Sequence, residues 1–219
     1  MHSDQPGLAE RLLWRPTLRH RGGVAYITVR AWRAGTRTDD LALFKAEKAA
    51  RRPAFVEAVA AEIAAEVRAL VFPASPWSVT SVAPGHSRDA EACCVHIARA
   101  VALRLGLPYV TTFEPRPVPG SSHPRRNAGL PPLQWRERPA GPVILVDDVA
   151  TSGWHMAEAL GMLRGAGIPA LGAAWIGGTA QEGVEDRPAG RPLPGATRRP
   201  AAAAEPDCLV NRAAPPLPG

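Results

Sequence analysis

The feature that most constrains the fold is a run of four large apolar residues, 143–146, that ends directly in Asp147 and Asp148. Such a run has no polar face of period two, so it predicts a strand covered on both sides, as in a parallel sheet flanked by helices. In open α/β sheets, ligands bind in the crevice outside the carboxyl ends of the strands. The two carboxylates therefore mark the expected position of a binding site.

The residues after the carboxylates predict a phosphate-binding loop. Ala150, Thr151, Ser152 and Gly153 are small or hydroxylated, and residues 154–164 repeat apolar side chains at helical spacing. A helix N-terminus has unpaired backbone N–H groups and a partial positive charge, both of which favour a phosphate. The hydroxyls add donors, and a glycine lets the backbone approach closely. Strand, loop and helix together predict a phosphate cradle beside a carboxylate pair.

Two other interpretations of the acidic pair make different demands on the chain. An ordinary helix N-terminus with acidic residues in its first turn is common and implies no ligand. A phospho-acceptor receiver domain also has paired acids after an early apolar strand, but it needs a phospho-accepting Asp well downstream. Only one more strand-like run, residues 170–176, follows before Pro, Ala and Arg dominate the composition. The chain order therefore excludes the receiver domain.

A second strand, loop and helix lie upstream. Residues 77–83 predict a strand, a Pro-Gly turn follows, and residues 89–105 predict a helix with one apolar stripe. Small and basic residues occupy the turn, namely Gly85, His86, Ser87 and Arg88. Taken alone, these four residues are typical of a solvated turn.

The apolar strand, the Asp-Asp pair, the Thr/Ser-Gly loop and the following helix resemble the phosphoribosyl pyrophosphate (PRPP) signature of the type I phosphoribosyltransferases. The resemblance implies that the two aspartates hold the ribose hydroxyls and that the loop wraps the 5-phosphate. The implied PRPP-binding residues are Asp147, Asp148, Val149, Ala150, Thr151, Ser152, Gly153 and His155. The family pattern usually has Thr at the position of His155, so here a histidine N–H replaces a hydroxyl.

The resemblance also gives roles to two other loops. The upstream turn, Gly85 to Arg88, would bind pyrophosphate through its backbone N–H groups, and Arg88 would reach the leaving group with two hydrogen bonds. Residues 116–138 form a long, basic, Pro-rich connection in the place of the family's mobile loop, and its Arg126, with Asp147 and Asp148, is an expected catalytic residue. A solvated basic loop fits the same composition equally well.

Within the family, the chain is loosely similar to competence protein F-like phosphoribosyltransferases, which place a helical segment before the pyrophosphate loop. Residues 39–52 and 54–70 predict these helices. A Cys-rich zinc-binding segment, frequent in that group, does not occur in this sequence. The resemblance covers residues 24–178, and only the Asp-Asp loop is specific.

Length and composition bound the organisation of the chain. With 219 residues, 46% of them hydrophobic, it is long enough for one substantial core. We expect a phosphoribosyltransferase-like domain over residues 22–178, a flexible N-terminal tail over residues 1–21, and a disordered Pro/Ala/Arg-rich tail over residues 179–219. The predicted fold class is α/β, with a parallel, Rossmann-like phosphoribosyltransferase core, helices on both faces and disordered tails.

Charge and cysteine content point to compartment and partners. No signal-peptide core and no membrane span are present, so we expect a cytoplasmic protein that does not bind membranes. Three cysteines do not make a secreted disulfide framework, and the adjacent Cys93 and Cys94 are interpreted as small core residues. The net charge of +6 admits non-specific nucleic acid as a secondary partner.

The function that follows is Mg²⁺-dependent transfer of ribose 5-phosphate from PRPP to a nitrogen nucleophile, with release of pyrophosphate. The expected ligands are PRPP, a small-molecule acceptor and Mg²⁺, which needs no protein-only metal site. A homodimer is also among the expected partners. Two alternatives stay open: a non-catalytic PRPP sensor or competence-type DNA-uptake accessory protein, and a structural interaction protein without PRPP binding. No residue pattern identifies the acceptor.

Overall fold

The computed structural model describes residues 7–71, 76–84, 91–116 and 130–180. In chain order, these residues form α1 (Leu8–Arg11), β1 (Leu13–Arg21), β2 (Val24–Arg33), α2 (Arg37–Ala50), α3 (Pro53–Leu70), β3 (Ser78–Ser81), α4 (Cys93–Leu105), β4 (Val143–Val149), α5 (Trp154–Gly165) and β5 (Ala170–Ala180).

The five strands form one sheet in the order β1-β2-β5-β4-β3. Strands β2, β5, β4 and β3 run parallel, and β1 pairs antiparallel with β2 at one edge. The apolar run of β4 lies between β5 and β3, and its four side chains are completely buried. This confirms the predicted α/β fold with a parallel core, to which the structure adds one antiparallel edge strand.

Helices cover both faces of the sheet, as predicted. On one face, α2, α3 and α4 pack through a cluster that includes Phe44 and Ile97. On the other face, α5 packs through Met156 and Leu160. A Cβ at Gly172 of β5 would lie 2.8 Å from Met156 Sδ and 2.9 Å from Leu160 Cδ1. Glycine at this position therefore lets α5 approach the sheet closely.

The prediction of a flexible tail over residues 1–21 is wrong for residues 8–21. Leu8 of α1 and the adjacent Leu12 are buried in the main core, and β1 pairs with β2 along most of its length. A guanidinium nitrogen of Arg11 also lies 3.3 Å from a carboxylate oxygen of the buried Asp40, which ties α1 to α2. The folded region therefore begins well before residue 22.

The pattern of β1 explains why it escaped prediction. Its sequence carries four basic residues and Pro16, which breaks the alternation of apolar side chains. The pairing register with β2 shifts between Trp14 and Thr17, on either side of that proline. An edge strand tolerates both features because one of its sides makes no ladder hydrogen bonds.

Other boundaries differ from the predictions by a few residues. Strand β3 is shorter than residues 77–83, helix α4 begins at Cys93 instead of residue 89, and β5 continues to Ala180. Residues 181–219, most of the predicted C-terminal tail, lie outside the described residues. In the part of the chain that the structure describes, no helix has both the length and the apolar character needed to cross a bilayer.

A charged network joins the sheet to α3. Arg30 of β2 donates two hydrogen bonds to Glu62 of α3, at 2.7 and 2.6 Å, and the indole nitrogen of Trp175 in β5 donates a third at 2.6 Å. The side chains of Arg30 and Glu62 are only 14% and 19% exposed. The carboxylate of Glu62 is therefore the common acceptor for two strands.

We expect Glu62→Gln to lower the free energy of unfolding by about 2–3 kcal/mol, because the amide loses the charge and places an NH2 donor where one acceptor oxygen faced the mostly buried donors. Urea denaturation measures this loss.

The matched control is Glu57→Gln on the same helix. Glu57 also accepts from an arginine, Arg104, but its side chain is 49% exposed, so its loss is expected to stay within about 0.5 kcal/mol. Equal losses in the two variants would contradict a structural role for the Glu62 network.

Candidate functional site

A cleft of about 350 Å³ opens at the carboxyl ends of β3 and β4. It is bounded by α2 and the start of α4, and by the start of α5, which packs on the opposite face of the sheet. Polar groups converge on it from α2 and its end, from β4 and the following loop, from α5 and from the α4–β4 connection, namely those of Lys45, Lys48, Arg51, Arg116, Asp147, Asp148, Thr151, Ser152 and His155.

The acidic pair lies at the centre of this cleft and is largely buried. Asp147 and Asp148 are only 8% and 2% exposed. The backbone N–H of Asp148 donates to Oδ1 of Asp147 at 2.8 Å. Nζ of Lys48, which comes from α2, lies 2.6 Å from Oδ2 of Asp148. One of the two carboxylates thus has a direct cationic partner from a distant part of the chain.

Burial and mutual repulsion shift the protonation of this group. Burial, followed by the negative charge of Asp148, raises the pKa of Asp147 to about 8. Burial of the Lys48 ammonium lowers its pKa, but the adjacent carboxylate of Asp148 raises it more, so the net shift is upward. Lys48 is therefore charged at neutral pH, while Asp147 holds a proton for much of the time.

The loop after the acidic pair is fixed by backbone contacts. Ala150 N donates to the carbonyl of Ile176 in β5 at 2.9 Å, and Gly153 O accepts from Ala157 N in the first turn of α5. Gly153 has φ +65°, and a Cβ there would lie 2.0 Å from the hydroxyl oxygen of Tyr26. Glycine is required here by both conformation and space, so the loop turns sharply into the N-terminus of α5.

His155 is held by a buried arginine. Arg116 is 6% exposed and makes paired hydrogen bonds of 2.7 and 2.6 Å to the carboxylate of Glu158. Its Nη2 also lies 3.2 Å from Nδ1 of His155. A guanidinium only donates, so Nδ1 accepts, and the neutral imidazole carries its proton on Nε2. The histidine is thereby fixed as an Nε2–H donor.

Two cysteines line the cleft at the start of α4. Burial raises the pKa of the Cys93 thiol to about 12, and burial raises the pKa of Cys94 well above its usual range. Protonated thiols are poor nucleophiles and poor metal ligands. Cys93 and Cys94 therefore serve packing, and among the described residues no group of three or more His, Cys, Asp or Glu side chains could hold a metal ion.

The structure brings the predicted PRPP-binding residues around one cleft. Asp147, Asp148 and His155 line it, together with the whole of residues 149–153. Their role as PRPP ligands stays a prediction. The predicted pyrophosphate turn, Gly85, His86, Ser87 and Arg88, and the predicted catalytic Arg126 lie outside the described residues.

Sequence reasoning missed several residues of the cleft. Lys45, Lys48 and Arg51 lie on a segment that the sequence predicts only as a helix, and their spacing of three residues is the available signal. Arg116 was noted only as one basic residue of a long connection. Tyr26, which lies against Gly153 and does not line the cleft, has no signal in the sequence, because this contact joins residues far apart in the chain.

No protein-family model matches the chain, and no curated protein matches it either. Among solved structures, it is similar to adenine phosphoribosyltransferase from Saccharomyces cerevisiae, with 19% identity, a TM-score of 0.40, and coverage of 78% of this chain and 85% of that one. It is also similar to adenine phosphoribosyltransferase from Leishmania tarentolae, with 15% identity, a TM-score of 0.38, and coverage of 82% and 89%.

A third similarity is to orotate phosphoribosyltransferase from Aeropyrum pernix, with 20% identity, a TM-score of 0.34, and coverage of 76% of this chain and 75% of that one. At these identities and TM-scores, the similarities identify neither the family nor the substrate of this chain.

The raised pKa of Asp147 makes stability depend on pH. The unfolded pKa is near 3.8 and the folded pKa about 8, so the stabilising effect of the protonated group is complete below pH 3.8 and is lost as the pH rises to 8. We expect Asp147→Asn, which does not titrate, to gain stability relative to the wild type across that range. The gain should grow as the pH rises from 4 to 8, which urea denaturation at several pH values resolves.

Asp39→Asn, at an exposed position of α2, is the control and should follow the wild-type pH curve. A stability difference between wild type and Asp147→Asn that stays constant from pH 4 to 8 would show that Asp147 titrates normally.

The contact with Arg116 predicts the tautomer of His155. Long-range ¹H–¹⁵N spectra of the ¹⁵N-histidine-labelled protein, recorded where the imidazole is neutral, should show a proton on Nε2 and a lone pair on Nδ1. His155→Asn assigns the signal, and Arg116→Met should allow a mixture of tautomers because the donor to Nδ1 is removed. A protonated Nδ1 in the wild type would contradict the contact.

Proposed function

We propose that this protein is a phosphoribosyltransferase that binds PRPP in the cleft and moves its ribose 5-phosphate group to a nitrogen nucleophile, releasing pyrophosphate. One observation carries the proposal. Two buried carboxylates at the end of a parallel strand, Asp147 and Asp148, are followed at once by a hydroxyl-bearing loop that turns through a left-handed glycine into a helix N-terminus. This order of groups matches the order of hydroxyls and 5-phosphate on the ribose.

The loop and α5 supply what a phosphate monoester needs. Thr151 and Ser152 carry hydroxyls at the cleft, and the N-terminus of α5 adds backbone N–H groups and a partial positive charge. His155 supplies an N–H donor from Nε2 in place of the hydroxyl that the family pattern has at its position. Histidine at this position thus keeps a hydrogen-bond donor but places it farther from the backbone than a threonine hydroxyl would.

The aspartates suit the ribose. Asp148, which pairs with Lys48, accepts hydrogen bonds from hydroxyls, and a protonated Asp147 both donates and accepts. In the reaction, the nitrogen lone pair forms a bond to the anomeric carbon, and the C–O electron pair leaves with pyrophosphate. Positive charge develops on the ribose as this bond breaks, so hydrogen bonds that increase electron density on the hydroxyl oxygens strengthen in the transition state.

The carboxylate pair also fits Mg²⁺. This ion binds through one or two carboxylates, substrate oxygens and water, and it does not require an all-protein cage. Asp147 and Asp148 provide two adjacent carboxylates in a cleft that is open to substrate. A bound Mg²⁺ would neutralise charge on the leaving pyrophosphate, while the loop and the aspartates of this chain hold and orient the ribose 5-phosphate.

A non-catalytic PRPP-binding protein is the second candidate. The observation that favours it is the contact of His155 with Arg116, at the position where the family pattern has a threonine hydroxyl. Base-dependent release of pyrophosphate from PRPP separates the two candidates, because a sensor binds PRPP without turnover. The acceptor, non-specific nucleic-acid binding, a homodimer and a cytoplasmic location stay predictions from the sequence.

We expect saturable binding of PRPP in isothermal titration calorimetry, tighter with Mg²⁺ than without. Asp148→Asn removes a charged hydrogen-bond acceptor and should raise the Kd for PRPP about tenfold to a hundredfold.

Asp39→Asn makes the same chemical change at an exposed position of α2 and should leave the Kd unchanged. If wild-type protein takes up no PRPP, or if both variants bind it equally well, the proposed site is wrong, and the interaction-protein alternative gains support.

A further inference from the structure

The end of α2 presents three cations to the cleft. Lys45, Lys48 and Arg51 all line it, and their spacing of three residues puts them on one side of the helix end. We call these three residues the α2 cationic face. Cations near a helix C-terminus are common because they interact favourably with its dipole, so their presence alone implies nothing about a ligand.

Two contacts distinguish this face from an ordinary helix end. Nζ of Lys48 lies 2.6 Å from Oδ2 of Asp148, inside the cleft. Arg51 donates from Nη1 to the carbonyl oxygen of Glu91 at 2.6 Å, directly before α4. The face is therefore held between the acidic pair and the start of α4. Lys45, which is exposed on the same face, makes no ion pair with another described residue.

The position of the face relative to the phosphate loop suggests its ligand. Helices α2 and α4 pack on one face of the sheet, whereas the loop leads into α5 on the opposite face. Asp147 and Asp148 lie between them, at the strand end. In PRPP, the 5-phosphate and the diphosphate are attached at opposite ends of the ribose. With the 5-phosphate on the loop and the hydroxyls on the aspartates, the diphosphate extends towards α2.

Resting on the function proposed above, we propose that the α2 cationic face binds the diphosphate of PRPP and that Lys48 transfers from Asp148 to this diphosphate when ribose hydroxyls replace it on the carboxylate. In the free protein, Lys48 is a built-in counter-ion of Asp148. Ribose 5-phosphate must displace the Lys48 ammonium from Asp148 and has no diphosphate to pair with it, whereas PRPP supplies this anionic partner. The face therefore discriminates PRPP from ribose 5-phosphate.

This discrimination predicts that Lys48→Met weakens ligands that carry a diphosphate and does not weaken ribose 5-phosphate. The full chain is titrated calorimetrically with PRPP, inorganic pyrophosphate and ribose 5-phosphate, each with Mg²⁺. We expect Lys48→Met to weaken PRPP and pyrophosphate about tenfold, the loss of one charged contact, and to leave ribose 5-phosphate binding equal or tighter. A merely structural role of Lys48 would weaken all three together.

Two further variants guard against misfolding and non-specific charge effects. Lys45→Met removes an exposed cation without breaking an ion pair between described residues, and it should weaken PRPP and pyrophosphate but not ribose 5-phosphate. Arg37→Met removes the same charge from the exposed start of α2, outside the lining of the cleft, and should change none of the three.

The outcomes separate this inference from the proposed function. If PRPP binds and pyrophosphate affinity is unchanged in both Lys45→Met and Lys48→Met, the cationic face is not the diphosphate site, while the phosphoribosyltransferase proposal stands. If wild-type protein binds pyrophosphate with the expected dependence on Lys45 but binds neither PRPP nor ribose 5-phosphate, the proposed function is overturned. Failure to bind pyrophosphate and PRPP would overturn both.

Discussion

The repulsion between two adjacent buried carboxylates governs the arrangement of this cleft. Two unit charges about 4 Å apart interact by roughly 4 kcal/mol at an effective dielectric constant of 20, too much for a strand end to carry without compensation. The structure relieves it in two ways: Asp147 takes up a proton more readily, and Lys48 neutralises Asp148. The second of these links α2 to the end of β4. The acidic pair is thereby close to electrical balance, and a polyanionic ligand with its own metal ion can exchange for these partners without leaving a bare charge.

Much of the fold can be predicted from short-range patterns in the sequence. The errors of that prediction have a common physical cause. The apolar run of β4 and the stripes of α3 and α4 dictate a buried parallel sheet with helices on both sides, because each such segment must bury its apolar face somewhere. Strand β1 was missed because edge strands bury little and so need no regular alternation. Its place is set by long-range partners instead: the ladder with β2 and the burial of Leu8 and Leu12 beside it.

The residues of the site also fall into those that the sequence predicts and those that only the fold brings in. The acidic pair and its loop are contiguous, so their proximity follows from the chain itself. Lys48 and Arg116 reach the same cleft from positions 100 and 39 residues away from Asp148 and His155, respectively. Local sequence spacing does not predict such contacts, because they depend on how the helices pack on the sheet. His155 shows the consequence best, because sequence comparison with a family pattern records a missing hydroxyl, whereas the arginine that orients the imidazole becomes visible only in three dimensions.

The antiparallel edge strand also determines how the sheet ends. An unpaired strand edge is a template for another chain, and proteins blunt such edges with proline, irregular register and charge. Strand β1 has all three: Pro16, the register shift around it, and basic side chains along its length. Intermolecular extension of the sheet through the β1 edge is therefore disfavoured, so this edge is an unfavourable place for two copies of the chain to pair strand to strand.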